Sequence, residues 1–233
     1  MSESRACDAI LLIGFGGPTR PEEIRPFLDH VVRGRPVPPE RYEEVVRHYE
    51  KMGGRSPYNE LTLRQADALR ARLAQGGAKV PIAVGMRNWA PYLDDALASL
   101  AREGARRVLG FVMAAYRCEA SWERYQQNVR DAQEKLGESA PEAEYPEPWH
   151  AHPKFIAANA ARIREALARL SPEQRARAHP IFTAHSIPVA MAAASPYVEQ
   201  LTECARLVSA ELGAGSWTLA FQSRSGSPRE PWL

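Results

Sequence analysis

Apolar positions along the chain fall into short continuous runs, separated by longer stretches in which they recur every three or four residues. Ala9-Ile10-Leu11-Leu12-Ile13 is such a run, closed by Gly14-Phe15-Gly16-Gly17-Pro18. It predicts a buried strand that ends in a glycine-rich loop. Further strands are predicted over 80–86, 107–114, 179–184 and 217–221. Helices are predicted over 19–32, 38–52, 59–75, 91–102, 119–136, 154–170 and 197–212, with Pro26 set to interrupt or delay the first. In 38–52 the apolar stripe is Val45, Val46, Tyr49 and Met52. In 59–75 it is Leu61, Ala68, Leu69 and Leu73, and in 154–170 it is Ile156, Ala160, Ile163 and Leu167. Strands alternating with helices of this length predict βαβ units and parallel sheets, an α/β fold. The Pro- and Glu-rich stretch 137–148 reads as irregular and as a domain boundary, dividing the chain into 1–148 and 149–233. The strand, small-residue loop and helix that start at Ile10 are echoed from Ile181, which suggests two similar half-folds.

Composition removes several classes without adding a function. The 233 residues are 45% hydrophobic and 25% charged with a formal net charge of +2, so the chain carries neither a disordered composition nor a basic arm for nucleic acid. No apolar run approaches the ~18 residues of a membrane helix. Cys7, Cys118 and Cys204 are odd in number and widely spaced, which fits free thiols rather than a disulfide framework or a zinc knuckle. The short polar segment before Ala9 lacks the form of a signal peptide, so the sequence reads as that of a soluble, cytoplasmic protein.

In open parallel sheets ligands bind beyond the C-terminal ends of the strands. That rule selects the loops 14–18, 85–89, 114–121 and 185–188. The first is not GxGxxG, because Pro18 stands where free helix N–H groups would be needed. A tight turn, or a loop pressed against a planar ligand with Phe15 as the contacting ring, remains open. The last loop, Thr183-Ala184-His185-Ser186-Ile187-Pro188, sets a histidine directly after a strand, where imidazole can take a proton, bind a metal, or cap a helix. Ser186 lacks the Gly-x-Ser-x-Gly frame of a hydrolase elbow. His150-x-His152 has a spacing open to metal binding or to a surface role, and His30, His48 and His179 call for nothing beyond packing. Phe15, Trp89, Tyr92, Tyr116, Trp122, Trp149 and Trp217 recur near strand ends, an arrangement that serves core packing or a large flat apolar ligand.

Several segments together resemble the ferrochelatase family. They are Leu12-Ile13-Gly14-Phe15-Gly16-Gly17-Pro18 with the later Val32-Arg33-Gly34-Arg35, and Tyr49-Glu50-Lys51-Met52-Gly53-Gly54-Arg55-Ser56-Pro57. They also include Val84-Gly85-Met86-Arg87 with Pro91, Thr183 to Pro188, and Phe221-Gln222-Ser223-Arg224 with Pro231-Trp232-Leu233. Their order and spacing span almost the whole chain. The resemblance implies two Rossmann-like parallel-sheet domains with a cleft between them, the second incomplete here. It implies insertion of ferrous iron into a porphyrin, protoporphyrin IX or coproporphyrin III, in haem synthesis. Iron is then a substrate and no cofactor is required. Neither nucleic acid nor a transmembrane segment is expected, and peripheral membrane contact is compatible with the resemblance.

By the same resemblance His185 is the proton acceptor and metal ligand. Phe15, Arg33, Tyr49, Ser56, Tyr116 and His150 fall at porphyrin-contact positions. Phe15 stands where a tyrosine would offer iron an oxygen, Tyr116 stands where related chains often carry histidine, and Val32 replaces a propionate-binding arginine, leaving Arg33 as the nearest charge. Arg33 and Arg87 are candidate rim partners for propionates. The family pairs its histidine with a later glutamate. The chain stops at Pro231-Trp232-Leu233, inside a motif that normally continues, and neither Glu119 nor Glu230 matches that glutamate. Two alternatives accompany this expectation: a sirohydrochlorin chelatase using cobalt or nickel, and a non-catalytic porphyrin-binding fragment.

Overall fold

The computed structural model describes residues 6–34, 37–224 and 229–233. Arg35, which closes one of the motifs above, lies outside the described residues. The chain separates into two compact units, Met1–Met113 with Arg124–Pro146, and Ala114–Glu123 with Glu147–Leu233. A linear division at residue 148 does not contain this crossing, in which a short segment after the third strand packs with the second unit.

The first unit is built on a parallel sheet in the order β2-β1-β3-β4, where β1 is Ala9–Gly14, β2 Ile82–Met86, β3 Arg107–Val112 and β4 Glu142–Glu144. Strand β1 lies at the centre and is apolar on both faces because helices cover both. Leu12 packs with Ala66, Ile82 and Val84 beneath helix α3 (Tyr58–Gln75). Leu11 and Ile13 are fully buried, as are Leu97 and Leu100 of α4 (Leu93–Arg102) and Val129 of α5 (Arg124–Leu136). Helices α1 (Ile24–Val32) and α2 (Pro39–Lys51) form a further apolar cluster around Phe27, Leu28 and Val46.

The structure corrects the sequence reading at four places. The first helix is delayed, as Pro26 suggests, but 19–23 is not α-helix: a 3-10 turn, Pro21–Glu23, precedes α1, and Pro26 falls in the helix's first turn, where its missing N–H leaves no intrahelical bond unmade. The stripe that α3 buries is Asn59, Thr62 and Ala66, continued by the half-buried Leu69 and Leu73, whereas Leu61 is 49% exposed and Ala68 is exposed. Hydrophobicity alone misses this stripe because two of its members are polar and hydrogen-bonded. Met52, placed in the α2 stripe, is 76% exposed beyond the helix end. The segment 137–148 is not wholly irregular. It holds a 3-10 turn, Gly137–Ser139, and the short β4, whose charged residues suit a sheet edge.

The second unit carries β5 (Ile181–His185) and β6 (Thr218–Gln222), paired in parallel with His185 opposite Gln222. Helices α6 (Pro153–Leu167) and α9 (Tyr197–Leu212) pack together through Ile156, Ala160, Cys204 and Val208. Two short helices were not anticipated: α7 (Pro172–Ala176), opened by a Ser171/Gln174 capping box, and α8 (Val189–Ala193) after Pro188. Cys118 and Cys204 are buried free thiols, and Cys7 is a partly exposed one. Among the described residues no helix is long and apolar enough to cross a membrane.

Helix α4 crosses β2 closely over Gly85. A Cβ there would stand 2.7 Å from Leu93 Cδ1 and 2.9 Å from Leu93 Cα. The second contact is to backbone, which cannot turn away as a side chain can. Gly85→Ala is expected to cost ~1–3 kcal/mol through displacement of α4, read as a lower urea midpoint with an unchanged slope.

Candidate functional site

Two strand ends, one in each unit, carry Phe15 and His185, and the other candidate residues lie on helices or between them. In the first unit the chain leaves β1 through Gly14 to Pro18, and no strand continues the pairing. Side chains and neighbouring backbone take over. Tyr58 accepts the Phe15 N–H at 3.1 Å. Asn59 accepts the Gly17 N–H through Oδ1 at 2.9 Å, and its Nδ2 donates to the Gly17 carbonyl at 3.1 Å and the Ala90 carbonyl at 2.9 Å. The Arg87 and Asn88 N–H groups donate to the Gly14 and Phe15 carbonyls. Gly16 has φ +86°, and a Cβ on it would lie 2.9 Å from the Trp89 backbone nitrogen, so the position requires glycine on both counts.

The loop is short and held at nearly every peptide, and it presents Phe15, which is 37% exposed. Phe27 stands edge-on to Phe15 with ring centroids 6.2 Å apart, and in the same way to Tyr49 at 5.9 Å and Trp89 at 6.2 Å. Phe27 therefore joins two of the predicted contact residues. Ser56 completes the group. Its N–H donates to the Pro18 carbonyl at 2.7 Å, and its Cβ lies 2.8 Å from where a Gly17 Cβ would be.

Arg33 belongs to a different setting. It is the C-cap of α1, with φ 44° in the left-handed region. Its Nε donates to the His30 carbonyl at 3.1 Å and its Nη2 to the Arg87 carbonyl at 2.7 Å. It lines a cavity of about 490 Å³ with Asp29, Arg87, Tyr92 and Lys135, apart from Phe15, Tyr49 and Ser56.

In the second unit His185 is the last residue of β5, and its side chain is exposed at the strand end. Its Nδ1 lies 2.6 Å from the Ser186 carbonyl oxygen. A carbonyl can only accept, so Nδ1 carries the proton and the neutral ring keeps its lone pair at Nε2. The backbone around it is held from three directions. The Tyr197 hydroxyl donates to the His185 carbonyl at 3.0 Å, and the Ser186 N–H donates to Gln222 at 2.7 Å. The buried Ser186 hydroxyl donates to the Leu233 main-chain oxygen at 2.8 Å. The segment 231–233 pairs back on the loop, with Val189 N–H on the Pro231 carbonyl, Leu233 N–H on the Ile187 carbonyl, and a bridge between Pro188 and Trp232.

The other two predicted residues of this unit are engaged elsewhere in it. The Tyr116 hydroxyl contacts Cys204 Sγ at 3.3 Å, and burial together with that contact pushes its ionisation upward. His150 Nε2 lies 2.9 Å from Glu203 Oε2, while His152 caps α6 by accepting the Lys154 N–H. These contacts tie both residues to α9, and Tyr116 also packs against the cluster of Ala184, Ile187 and Tyr197 that flanks the β5 strand end, its ring edge-on to Tyr197 at 6.5 Å. Among the described residues no group of three or more His, Cys, Asp and Glu side chains forms a metal cluster.

Residue-by-residue reading of the sequence passed over Asn59, Phe27, Glu23 and Asn88. The signal for Asn59 was a polar residue on the buried stripe of a helix. Asn88 is 1% exposed, and among the described residues neither of its amide atoms has a hydrogen-bond partner. Glu23 gives no sequence signal beyond an acid near a helix start.

A family profile described as Ferrochelatase matches residues 7–233. The chain is 42% identical to the Ferrochelatase of Rhodopirellula baltica over 233 residues, all of this chain and 66% of that relative. It is 41% identical to the Coproporphyrin III ferrochelatase of Nocardia farcinica, covering 98% of this chain and 67% of the relative. With the Mycolicibacterium smegmatis protein of the same name the identity is 39%, over 97% and 67%. The chain thus spans about two thirds of the length of the curated relatives it matches.

Burial pushes the Tyr197 phenol up to about 12, with the nearby Cys118 thiol adding to the shift. The folded protein holds this proton more tightly than the unfolded chain, whose tyrosines ionise near ~10. Stability linked to Tyr197 is therefore intact below about pH 10 and lost as pH rises through ~10–12. The urea midpoint should fall across that window and fall less in Tyr197→Phe. An identical alkaline profile in the variant would show that Tyr197 is not the group responsible.

Proposed function

The chain belongs to the ferrochelatase family, and on that premise we propose that it acts in the insertion of ferrous iron into a porphyrin, with His185 as proton acceptor and metal ligand. The observation that carries this reading is the bond from His185 Nδ1 to the Ser186 carbonyl. It leaves the lone pair on Nε2 of an exposed strand-end residue whose backbone is held by Tyr197, Gln222 and Leu233.

A porphyrin resists metal entry while its two inner N–H protons occupy the centre of the ring. A base that removes them, and a surface that holds the ring out of plane, lower the barrier where it is highest. Nε2 of His185 has the chemistry for the first task. It accepts a proton when the metal has not arrived, and it can bind ferrous iron through the same lone pair. The exposed ring of Phe15, backed by Phe27, Tyr49 and Trp89, suits the second, because a flat apolar ligand gains contact area against aromatic rings. Phe15 has no oxygen, so it offers contact and no ligand to iron. Ser56 is the polar contact of this reading beside Phe15, while Arg33 and Arg87, which line a separate cavity, enter it only as the propionate partners that the family resemblance implies. Iron is a substrate, and no resident cofactor enters the scheme.

Coproporphyrin III is our choice over protoporphyrin IX, on the ground that several relatives are named for it. The cytoplasm is the compartment that the three free cysteines suit.

The test is a pair of measurements on the chain itself. Porphyrin binding should shift the Soret band, and added ferrous iron should convert the spectrum to that of the metallated ring. His185→Ala is expected to lower insertion by at least ~100-fold, the ordinary contribution of a general base, while the porphyrin dissociation constant changes little. Unchanged turnover in the variant removes His185 from the mechanism. Binding without insertion by the parent chain identifies it as a porphyrin-binding fragment. Faster insertion of cobalt or nickel into sirohydrochlorin overturns the assignment to iron. Competition between the two porphyrins decides the substrate.

A further inference from the structure

Glu23 gathers more hydrogen-bond donors than any neighbouring carboxylate, and none of them serves the helix it precedes. Its Oε2 accepts the Thr19 N–H at 2.8 Å, the Thr19 hydroxyl at 2.9 Å and the Trp89 indole N–H at 2.8 Å, and its Oε1 accepts Arg20 Nε at 2.9 Å. The Glu23 side chain is only 15% exposed. Burial alone would raise its ionisation, yet the bonds from Thr19 and Trp89, with the charge of Arg20, outweigh it and hold the carboxyl below its ordinary range. Glu23 is thus ionised at neutral pH and committed to a fixed geometry.

The indole is the consequential partner, since it is 66 residues away in sequence. The Trp89 ring stands edge-on to Phe27 at 6.2 Å and to His30 at 6.1 Å. Its backbone nitrogen and Cβ form the wall against which Gly16 is packed. Phe27 in turn meets Phe15 and Tyr49. A tryptophan at a half-exposed strand-end loop has several rotamers open to it, and a charged acceptor for its one donor selects among them.

We infer that Glu23 is a positioning residue of the porphyrin-contact face: by fixing the indole of Trp89 it fixes Phe27, and through Phe27 the angle at which Phe15 meets a flat ligand. The inference rests on the porphyrin reading above. It assigns specificity for a planar ring to a carboxylate that does not touch that ring.

The experiment is a Soret titration of the parent chain, Glu23→Ala, Glu23→Gln, Trp89→Phe and the Glu23→Ala/Trp89→Phe double variant with coproporphyrin III. It is paired with NMR of the indole N–H groups in ¹⁵N-labelled protein, the Trp89 signal being the one lost in Trp89→Phe. Glu23→Ala and Trp89→Phe should each weaken binding by ~3–10-fold, the scale of one misplaced aromatic contact. The double variant should be no weaker than the worse single one, because both changes break the same link. Glu23→Gln, which keeps an acceptor for the indole, should restore most of the affinity and leave the Trp89 signal near its parent position, while Glu23→Ala moves it upfield. If Glu23→Ala fails to fold by circular dichroism, Trp89→Phe against Glu23→Gln carries the comparison. A moved indole signal with porphyrin affinity within about twofold of the parent, or fully additive losses in the double variant, overturns the positioning role and leaves the porphyrin reading intact. No Soret shift with the parent chain overturns the porphyrin reading itself, and this inference with it.

Discussion

Where β1 runs out of neighbouring strands its backbone still carries N–H and C=O groups that must be satisfied, and Asn59 satisfies the critical ones. Three hydrogen bonds from one side-chain amide tie Gly17 and Ala90 together, so the loops after β1 and β2 are held as one piece. A buried backbone polar group without a partner costs about as much as a lost hydrogen bond. That cost is what keeps Asn59 on the inner stripe of α3 in place of an apolar residue. The rest of the first unit's site follows from it. With the loop pinned, Gly16 can pack against Trp89 and Gly17 against Ser56, and Phe15 emerges in one orientation toward Phe27.

The second unit solves the same problem with different residues. After β5 the chain is satisfied by Gln222 from the neighbouring strand, by Tyr197 from α9 and by the returning segment 231–233. In both units the central candidate residue stands at the C-terminal end of a parallel strand, and in both the loop there is held because distant side chains and backbone meet its polar groups. At the second the effect reaches the candidate side chain directly. The Ser186 carbonyl, held by the same loop, accepts from Nδ1 of His185 and so decides which ring nitrogen keeps the lone pair.

A great deal of the fold was legible in the residues. The apolar run at Ala9–Ile13 followed by glycines, and the alternation of strands with helices, pointed to parallel sheets, because a strand covered on both faces has no polar face to show. His185 was legible as a strand-end residue from the apolar residues before it, although the strand Ile181–His185 is largely exposed rather than buried, with Ile181 63% exposed. The errors fall where polar groups are buried. The stripe of α3 was misassigned because Asn59 and Thr62 look like surface residues until their hydrogen bonds are seen. The strand Glu142–Glu144 was missed because an edge strand of alternating glutamates carries no hydrophobic signal. Tyr116 and His150, placed by resemblance, have hydrogen-bond partners in Cys204 and Glu203 that no local pattern in the sequence announces.

The sequence by itself determined the α/β class, the order of most elements, the strand-end loops and the family, since these depend on local periodicity and on residue types at fixed spacing. Tertiary structure decided the rest. It took Ala114–Glu123 into the second unit, joined Phe15 to Tyr49 through Phe27, tied Trp89 to Glu23, and set the tautomer of His185. The first three are contacts between residues far apart in the chain, and the last, although made to the neighbouring Ser186, depends on a loop held by Tyr197, Gln222 and Leu233. Their energies depend on distance and on the exclusion of water, neither of which is encoded in any single stretch of residues.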